Sequence, residues 1–172
     1  MPLPTPLSES YLQRFGGIAR LYGEPALTLL RDAHVVVIGI GGVGSWTAEA
    51  LARSGVGKIT LVDLDDICVT NTNRQIHALA DTVGDIKVSV MAERLRAINP
   101  EIAVMTHEDF IASDNFAELL DPERDSINIV IDAFDNARVK AALIAYCKAR
   151  KIRLITVGSA GGKKDPARIT CA

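Results

Sequence analysis

The chain has 172 residues, 48% of them hydrophobic and 23% charged, which excludes a disordered chain and leaves room for one domain of ordinary size. Its 19 Lys and Arg against 21 Asp and Glu give a net charge of −2, so overall charge does not draw it to a polyanion, and any nucleic-acid site must be local. Three cysteines, Cys68, Cys147 and Cys171, with no CxxC pair, argue against a disulfide scaffold or a four-cysteine zinc site.

The N-terminal stretch Met1-Pro-Leu-Pro-Thr-Pro-Leu7 has no basic region ahead of an apolar one, and its alternating prolines deny it a helix, so it reads as a mobile tail. No apolar run reaches the roughly 18 residues that span a bilayer. We expect a soluble, cytoplasmic protein without membrane contact. Glu9–Leu30 then carries apolar residues at helical spacing, interrupted by Gly16-Gly17 and Gly23, which predicts two short helices joined by a loop. Residues 1–30 are thus a tail and a helical arm, ahead of a domain over residues 31–172.

Within that domain, short runs rich in Val and Ile alternate with longer stretches of helical period, the pattern of βαβ units and a parallel sheet. The predicted strands are His34–Ile38, Lys58–Asp63, Ile102–Thr106, Ile127–Asp132 and Ile152–Val157. Several lack polar alternation, as strands do when helices cover both faces of their sheet. Between them Gly44–Ser54, Gly84–Ile98, Asp114–Leu120 and Asn136–Arg150 read as helices, the second stopped by Asn99-Pro100 and the third by Asp121-Pro122. After the flexible Gly158-Ser-Ala-Gly-Gly162, Ala167–Ala172 reads as a further strand. A sheet edge at that point reads as a chain truncated at its C-terminus.

The chemistry begins where the first strand runs into Gly39-Ile-Gly41-Gly42-Val-Gly44-Ser45 and a helix. Glycines there allow a tight turn and close backbone approach, so that phosphate oxygens can sit on amide N–H groups at the positive helix end. Asp63, nineteen residues beyond Gly44 at the end of the second strand, can accept from ribose hydroxyls, and Asp65 points the same way if the strand continues. Asp66 reads equally well as part of a solvated turn. Asn71-Thr-Asn-Arg74-Gln75 and Lys87 then separate two kinds of nucleotide site. A dinucleotide used for hydride transfer needs only backbone amides on its phosphates, whereas a triphosphate under attack needs cations. Two unit charges 4 Å apart interact by about 4 kcal/mol at an effective dielectric near 20, enough for Arg and Lys to offset charge on departing pyrophosphate. The fourth strand ends in Asp132-Ala-Phe-Asp135-Asn136 at the edge where open α/β sheets bind ligands. A carboxylate there suits Mg2+, which takes one or two carboxylates plus phosphate oxygens. Asp135 is the favoured contact, Asp132 the structural alternative, and Asn136 a candidate helix cap.

Together, Gly39-x-Gly-Gly-Val-Gly-Ser45, Leu61-Val-Asp-x-Asp65, Asn71-x-x-Arg74-Gln75, Gly84-x-x-Lys87 and Asp132-x-x-Asp135-Asn136 resemble the ubiquitin-activating-enzyme-like superfamily, over roughly Arg14 to Gly162. Arg14–Gly23, Thr70–His77 and Ala141–Cys147 are similar to its branch that dehydrates threonylcarbamoyladenosine in tRNA. The resemblance implies a Rossmann-like, doubly wound, mostly parallel α/β sheet that binds ATP, and a ligase-type, adenylating activity. The threonyl carboxylate beside the anticodon would attack the α-phosphate, release pyrophosphate, and cyclise with loss of AMP. By position, Gly39, Gly41, Gly42 and Gly44 would hold phosphates, and Asp63 with Asp65 the ribose. Asn71, Arg74 and Lys87 would contact the triphosphate, with Arg74, Lys87 and Asp135 catalytic and Asp135 also the Mg2+ contact. Implied partners are tRNA, a second copy of the chain in a homodimer, and a sulfur-acceptor protein of a cysteine desulfurase system. In a homodimer Arg14 or Arg20 would reach the partner subunit's site, although sulfur-carrier activators place their Arg where Gly17 stands.

Two other readings remain open. The same ATP site would serve an adenylyltransferase acting on the C-terminus of a ubiquitin-like sulfur-carrier protein, with Cys147 or Cys171 as a thiol, although Cys147 falls in a helix pattern and reads as core. A non-catalytic nucleotide-binding module in a sulfur-transfer pathway is the third. Lys148, Arg150, Lys151, Arg153, Lys163 and Lys164 form the basic clustering expected near the active edge. With so little basic surface, we expect this 172-residue chain to bind nucleotide but to bind tRNA weakly and give little cyclic product.

Overall fold

In the computed structural model, which describes residues 6–121, 126–158, 164, 165 and 168, five strands pair in parallel in the order β3-β2-β1-β4-β5. They are β1 His34–Ile38, β2 Lys58–Val62, β3 Ala103–His107, β4 Ile129–Asp132 and β5 Leu154–Thr156. The order reverses between β1 and β4, which start from adjacent positions but lead to crossovers on opposite sides, and a crevice opens there at the carboxyl ends.

All five residues of β1 are buried, so polarity does not alternate, yet the side chains divide with the two-residue period of a strand. Val35 and Val37 join Ala48 and Ala52 of α4 (Gly44–Arg53) and Met91 and Leu95 of α5 (Lys87–Ile98) on one face. Val36 and Ile38 join Phe116 and Leu119 of α6 (Phe116–Leu119) and Leu143 and Cys147 of α7 (Ala137–Ala149) on the other. Each of the Val, Leu, Ile, Phe and Met side chains among them, when fully buried, contributes about 1.5–3 kcal/mol, and the two layers hold the strand ends in place.

The arm has three helices, one more than predicted: α1 Glu9–Phe15, α2 Ala19–Tyr22 and α3 Glu24–Asp32, with a short 3-10 turn at Gly16–Ile18. Ser8 caps α1 by accepting from Tyr11 N at 2.9 Å, and the extra break falls at Gly23, whose φ of +82° suits glycine. Tyr11, Phe15 and Leu27 form a separate core, and the Tyr11 hydroxyl donates to the Gly55 carbonyl at 2.6 Å. Gly55 lies in the turn before β2, so the arm is fastened to the edge of the sheet opposite the crevice.

Several boundaries move. The helix predicted from Gly84 starts at Lys87, because Gly84 N donates to Ile67 O at 2.9 Å and Asp66 bridges Ile86, which holds residues 84–86 out of the helix. β3 starts one residue late because Ile102 N is bonded to Asn99 O at 3.1 Å. β4 and β5 are shorter than expected. The basic residues Lys148, Arg150, Lys151 and Arg153 do not lie near the active edge. α7 runs antiparallel to the strands, so its C-terminal end delivers them to the amino edge, where Arg153 O accepts from Val130 N near the start of β4. The first five residues of the tail, Lys163, Cys171 and all of the strand expected at Ala167–Ala172 except Arg168 lie outside the described residues, and Arg168 N donates to Asp165 O at 3.3 Å rather than to a neighbouring strand. Among the described residues no helix is long and apolar enough to cross a membrane.

Candidate functional site

The crevice encloses about 970 Å3 and is walled by the glycine loop, the ends of β2 and β4, the segment before α5 and the segment after β3. The glycines of the loop do two different things. Gly39 has φ +86°, and a Cβ there would lie 2.8 Å from Phe134 N, so the loop rests directly on the backbone that follows β4. A Cβ on Gly44 would lie 1.7 Å from Gly39 O, which closes the turn. Gly41 faces open space, and Gly42 is overlaid by the Arg74 side chain, whose Cγ would stand 3.2 Å from an added Cβ. Gly39 and Gly44 thus shape the loop, Gly41 leaves room above it, and Gly42 lets the Arg74 side chain lie against it. Of the ten predicted binding residues, Gly44 is the one that does not line the crevice.

Asp63 follows β2 and braces the loop: Oδ2 accepts from Ile40 N at 2.5 Å and Oδ1 from Asp65 N at 2.9 Å. Asp65, the second expected ribose acceptor, is paired in this structure with Lys87, whose Nζ donates to its Oδ2 at 2.6 Å. The pair is lopsided, with the Lys87 side chain 6% exposed and that of Asp65 60%. Asn71 is buried and its Oδ1 accepts from Cys68 N at 3.0 Å, which fixes its amide against the crevice wall. Arg74 Nη1 donates to Thr70 O and Asn73 Oδ1, both at 3.0 Å, and the Trp46 indole donates to Arg74 O at 2.9 Å. The guanidinium is therefore oriented from its own segment, above Gly42.

On the opposite wall Asp135 is exposed and lines the crevice. Asp132 is wholly buried, does not reach the crevice, and accepts from Lys140 Nζ. Burial raises its pKa, against the opposing pull of the Lys140 hydrogen bond and charge. Asn136 caps α7, its Oδ1 accepting from Arg138 N and Val139 N at 3.2 Å. Among the described residues no group of three or more His, Cys, Asp or Glu could enclose a metal ion. Asp135 shares the crevice lining with Asp63, Asp65 and Asp109, and an exposed carboxylate there fits Mg2+, which is held mostly by phosphate and water oxygens.

Three features carried no weight in the sequence. Gln75 lines the crevice, is 6% exposed, and its Oε1 has no hydrogen-bond partner among the described residues, although it stands next to Arg74 in a motif already singled out. His77 is buried, with neither ring nitrogen bonded among the described residues; burial first, then Lys87 and Arg94, push its pKa down to about 4, so the ring is neutral. The segment after β3 supplies an apolar wall of Phe110, Ile111 and Ala112, stiffened by Asn115, which donates to Phe110 O at 2.6 Å and accepts from Ala112 N at 2.9 Å. No local pattern marks that wall.

Arg14 and Arg20 lie on the arm and do not line this chain's crevice. The Cys147 thiol is buried in the core and pushed up to about 11 by burial and by Asp132, as expected of a packing residue. Cys68 is exposed, and hydrogen bonds from Thr70 lower its pKa.

The model of the ThiF family matches residues 16–170. The chain is 60% identical over 163 residues to the tRNA threonylcarbamoyladenosine dehydratase of Escherichia coli K12, covering 95% of this chain and 60% of that protein. The crystal structure of the E. coli tRNA N6-threonylcarbamoyladenosine dehydratase in complex with ATP matches with a TM-score of 0.89 over 95% of this chain and 66% of that one. The AMP complex of the same enzyme gives the same TM-score over 65% of its chain. The chain thus spans about three fifths of the length of the curated relative it matches.

Proposed function

The chain belongs to the ThiF family, and from that premise we propose that its crevice binds ATP and activates the threonyl carboxylate of threonylcarbamoyladenosine in tRNA. The observation that carries this reading is that Arg74, Lys87 and Asn71 line one crevice with a glycine loop braced by Asp63, from four separate segments of the chain. A hydride-transfer site has no use for that many polar groups on its phosphate side. The 60% identity to a tRNA threonylcarbamoyladenosine dehydratase, with ATP and AMP complexes of that fold, supports the same assignment.

In the proposed reaction a carboxylate oxygen attacks the α-phosphorus, the bond to the β-phosphate oxygen breaks, and pyrophosphate leaves with the electron pair. A nucleophilic atom of the carbamoyl group then attacks the acyl carbon, gives up the group's proton and expels AMP, which closes the ring with a net loss of water. The loop amides between Gly39 and Gly44 would hold phosphate oxygens, and Asp63 would accept from ribose hydroxyls. Arg74 and Lys87 would meet charge that grows as pyrophosphate departs, which is where fixed cations lower a barrier most. Lys87 must first exchange Asp65 for phosphate; ribose hydroxyls donating to Asp65 would take over from its ammonium. Asp135 would hold Mg2+, which when bound supplies positive charge to the phosphate oxygens. tRNA, a second copy of the chain bringing Arg14 or Arg20, and a sulfur-acceptor protein are the proposed partners, in the cytoplasm. The buried Cys147 thiol disfavours the sulfur-carrier reading as far as that residue is its intermediate.

Pyrophosphate release measured with tRNA bearing threonylcarbamoyladenosine, with a sulfur-carrier protein, and with neither tests the reading. Release that depends on the modified tRNA is expected, with mass spectrometry of the nucleoside reporting loss of one water where cyclisation is completed. Release that depends on the carrier protein instead would overturn it.

A further inference from the structure

Below the crevice floor, a second lysine meets a second aspartate. Lys140, in the first turn of α7, donates from Nζ to Asp132 Oδ1 and to the Val157 carbonyl at 3.2 Å, and its ammonium stands 4.7 Å from the centre of the Phe134 ring. Asp132 ends β4, and Val157 immediately follows β5, with Val157 N bonded to Asp132 O at 2.9 Å. One side chain therefore ties the ends of two strands to the start of a helix. A cation at the positive end of a helix is unfavourable for the helix itself, so α7 alone gives no reason for Lys140. Nor is a buried ion pair a strong source of net stability compared with apolar packing. What the ammonium supplies is direction, through bonds to two different strands.

The backbone that it frames is residues 133–136. This segment is shared by both sides of the crevice: Phe134 N and Ala133 C lie 2.8 and 3.0 Å from where a Cβ on Gly39 would be, and Asp135 is the carboxylate it presents. Its ends are fixed by Ala133 N donating to Ile38 O at 2.8 Å and by the Asn136 cap. We propose that Lys140 is a positioning residue, which holds Asp132 and Val157 together so that the segment keeps Asp135 at a fixed distance from the glycine loop. The inference rests on the reading of the crevice as an ATP site.

The test is calorimetry of ATP binding in the presence of Mg2+, for the wild type, Asp135→Asn, Lys140→Met and the double variant. Lys140→Met leaves Asp132 buried without its partner and can fail to fold, so Asp132→Asn/Lys140→Met, with no buried charge, is measured beside it, alone and combined with Asp135→Asn. Lys140 acting through Asp135 predicts that Asp135→Asn and either Lys140→Met form each weaken binding by about tenfold, and that adding Asp135→Asn to the Lys140 variant weakens it no further. Lys140→Arg, which can still reach both strands, recovers most of the loss. Effects that multiply to about a hundredfold would show that Lys140 works independently of Asp135, and wild-type affinity in the folded variants would show that it positions nothing. Either result overturns the proposal while the ATP reading stands. A wild type that does not bind ATP overturns that reading and the proposal with it.

Discussion

Two lysine–aspartate pairs flank the crevice, one on each side of the strand-order reversal, and they differ in how much water their aspartates see. The Asp65 carboxylate of the rim pair is 60% exposed, while Asp132 of the floor pair is fully buried. Losing Lys87 would return Asp65 to solvent; losing Lys140 would strand a charge where solvent cannot reach. The rim pair can therefore be opened by a ligand that offers hydroxyls to Asp65 and phosphate to Lys87, and the floor pair must stay closed for the walls to hold. The same two residue types, one pair on the crevice wall and one beneath it, carry opposite demands set by the burial of the aspartate.

The largest effect expected is on the floor. Lys140→Met should destabilise the fold by about 3–5 kcal/mol, the cost of breaking a buried pair from one side, read from chemical denaturation, and Asp132→Asn/Lys140→Met should recover most of it. Equal, small losses for Lys140→Met and Lys87→Met would break the comparison. Next comes the neutral His77 under the rim. Its pKa of about 4 in the folded chain lies below the 6.5 of an exposed ring, so the unfolded state takes up a proton first as pH falls. Its contribution is complete above pH 6.5 and declines by up to about 3 kcal/mol as pH falls towards 4. His77→Leu should flatten denaturation midpoints across that window, and an unchanged slope would show that the ring finds a charged partner on protonation. Smaller again, Tyr11→Phe removes the hydroxyl from Gly55 O and should cost about 1 kcal/mol without altering ATP affinity, because the arm is fastened to the far edge. The smallest change in stability is expected for Lys87→Met, under about 1 kcal/mol. Its effect should fall on turnover, with kcat lowered more than ATP affinity in a form active on tRNA, as for Arg74→Ala. Loss confined to ATP affinity would make both residues ground-state binders.

What could be read from the sequence was local or short in period. The Val- and Ile-rich runs placed all five strands to within a few residues; in β1, β2 and β4 such a run reflects near-complete burial, whereas β3 and β5 are half-buried to exposed. The glycine loop was legible because its turn and the first residues of the helix it opens lie within seven consecutive residues, Gly39–Ser45. Partnerships across the fold were not. Asp65 and Lys87 are 22 residues apart, and nothing in either motif says that the first holds the second. The misplaced basic cluster came from reading residues as near the active edge when the direction of α7 carries them away from it. Gln75 and the Phe110–Ala112 wall belong to segments without a regular period, where only the folded chain decides which side chain faces the crevice. Asp132 and Lys140 needed two strands and a helix to meet.

The central claim is that the crevice is built for a nucleoside triphosphate whose phosphates meet Arg74 and Lys87. Titration calorimetry of the wild-type chain with Mg2+–ATP and with NAD tests it most directly. The account predicts binding of ATP, much weaker binding of NAD, and loss of that preference when Arg74 and Lys87 are both replaced by alanine. NAD binding as tight as ATP, or a preference that survives the double replacement, would contradict it.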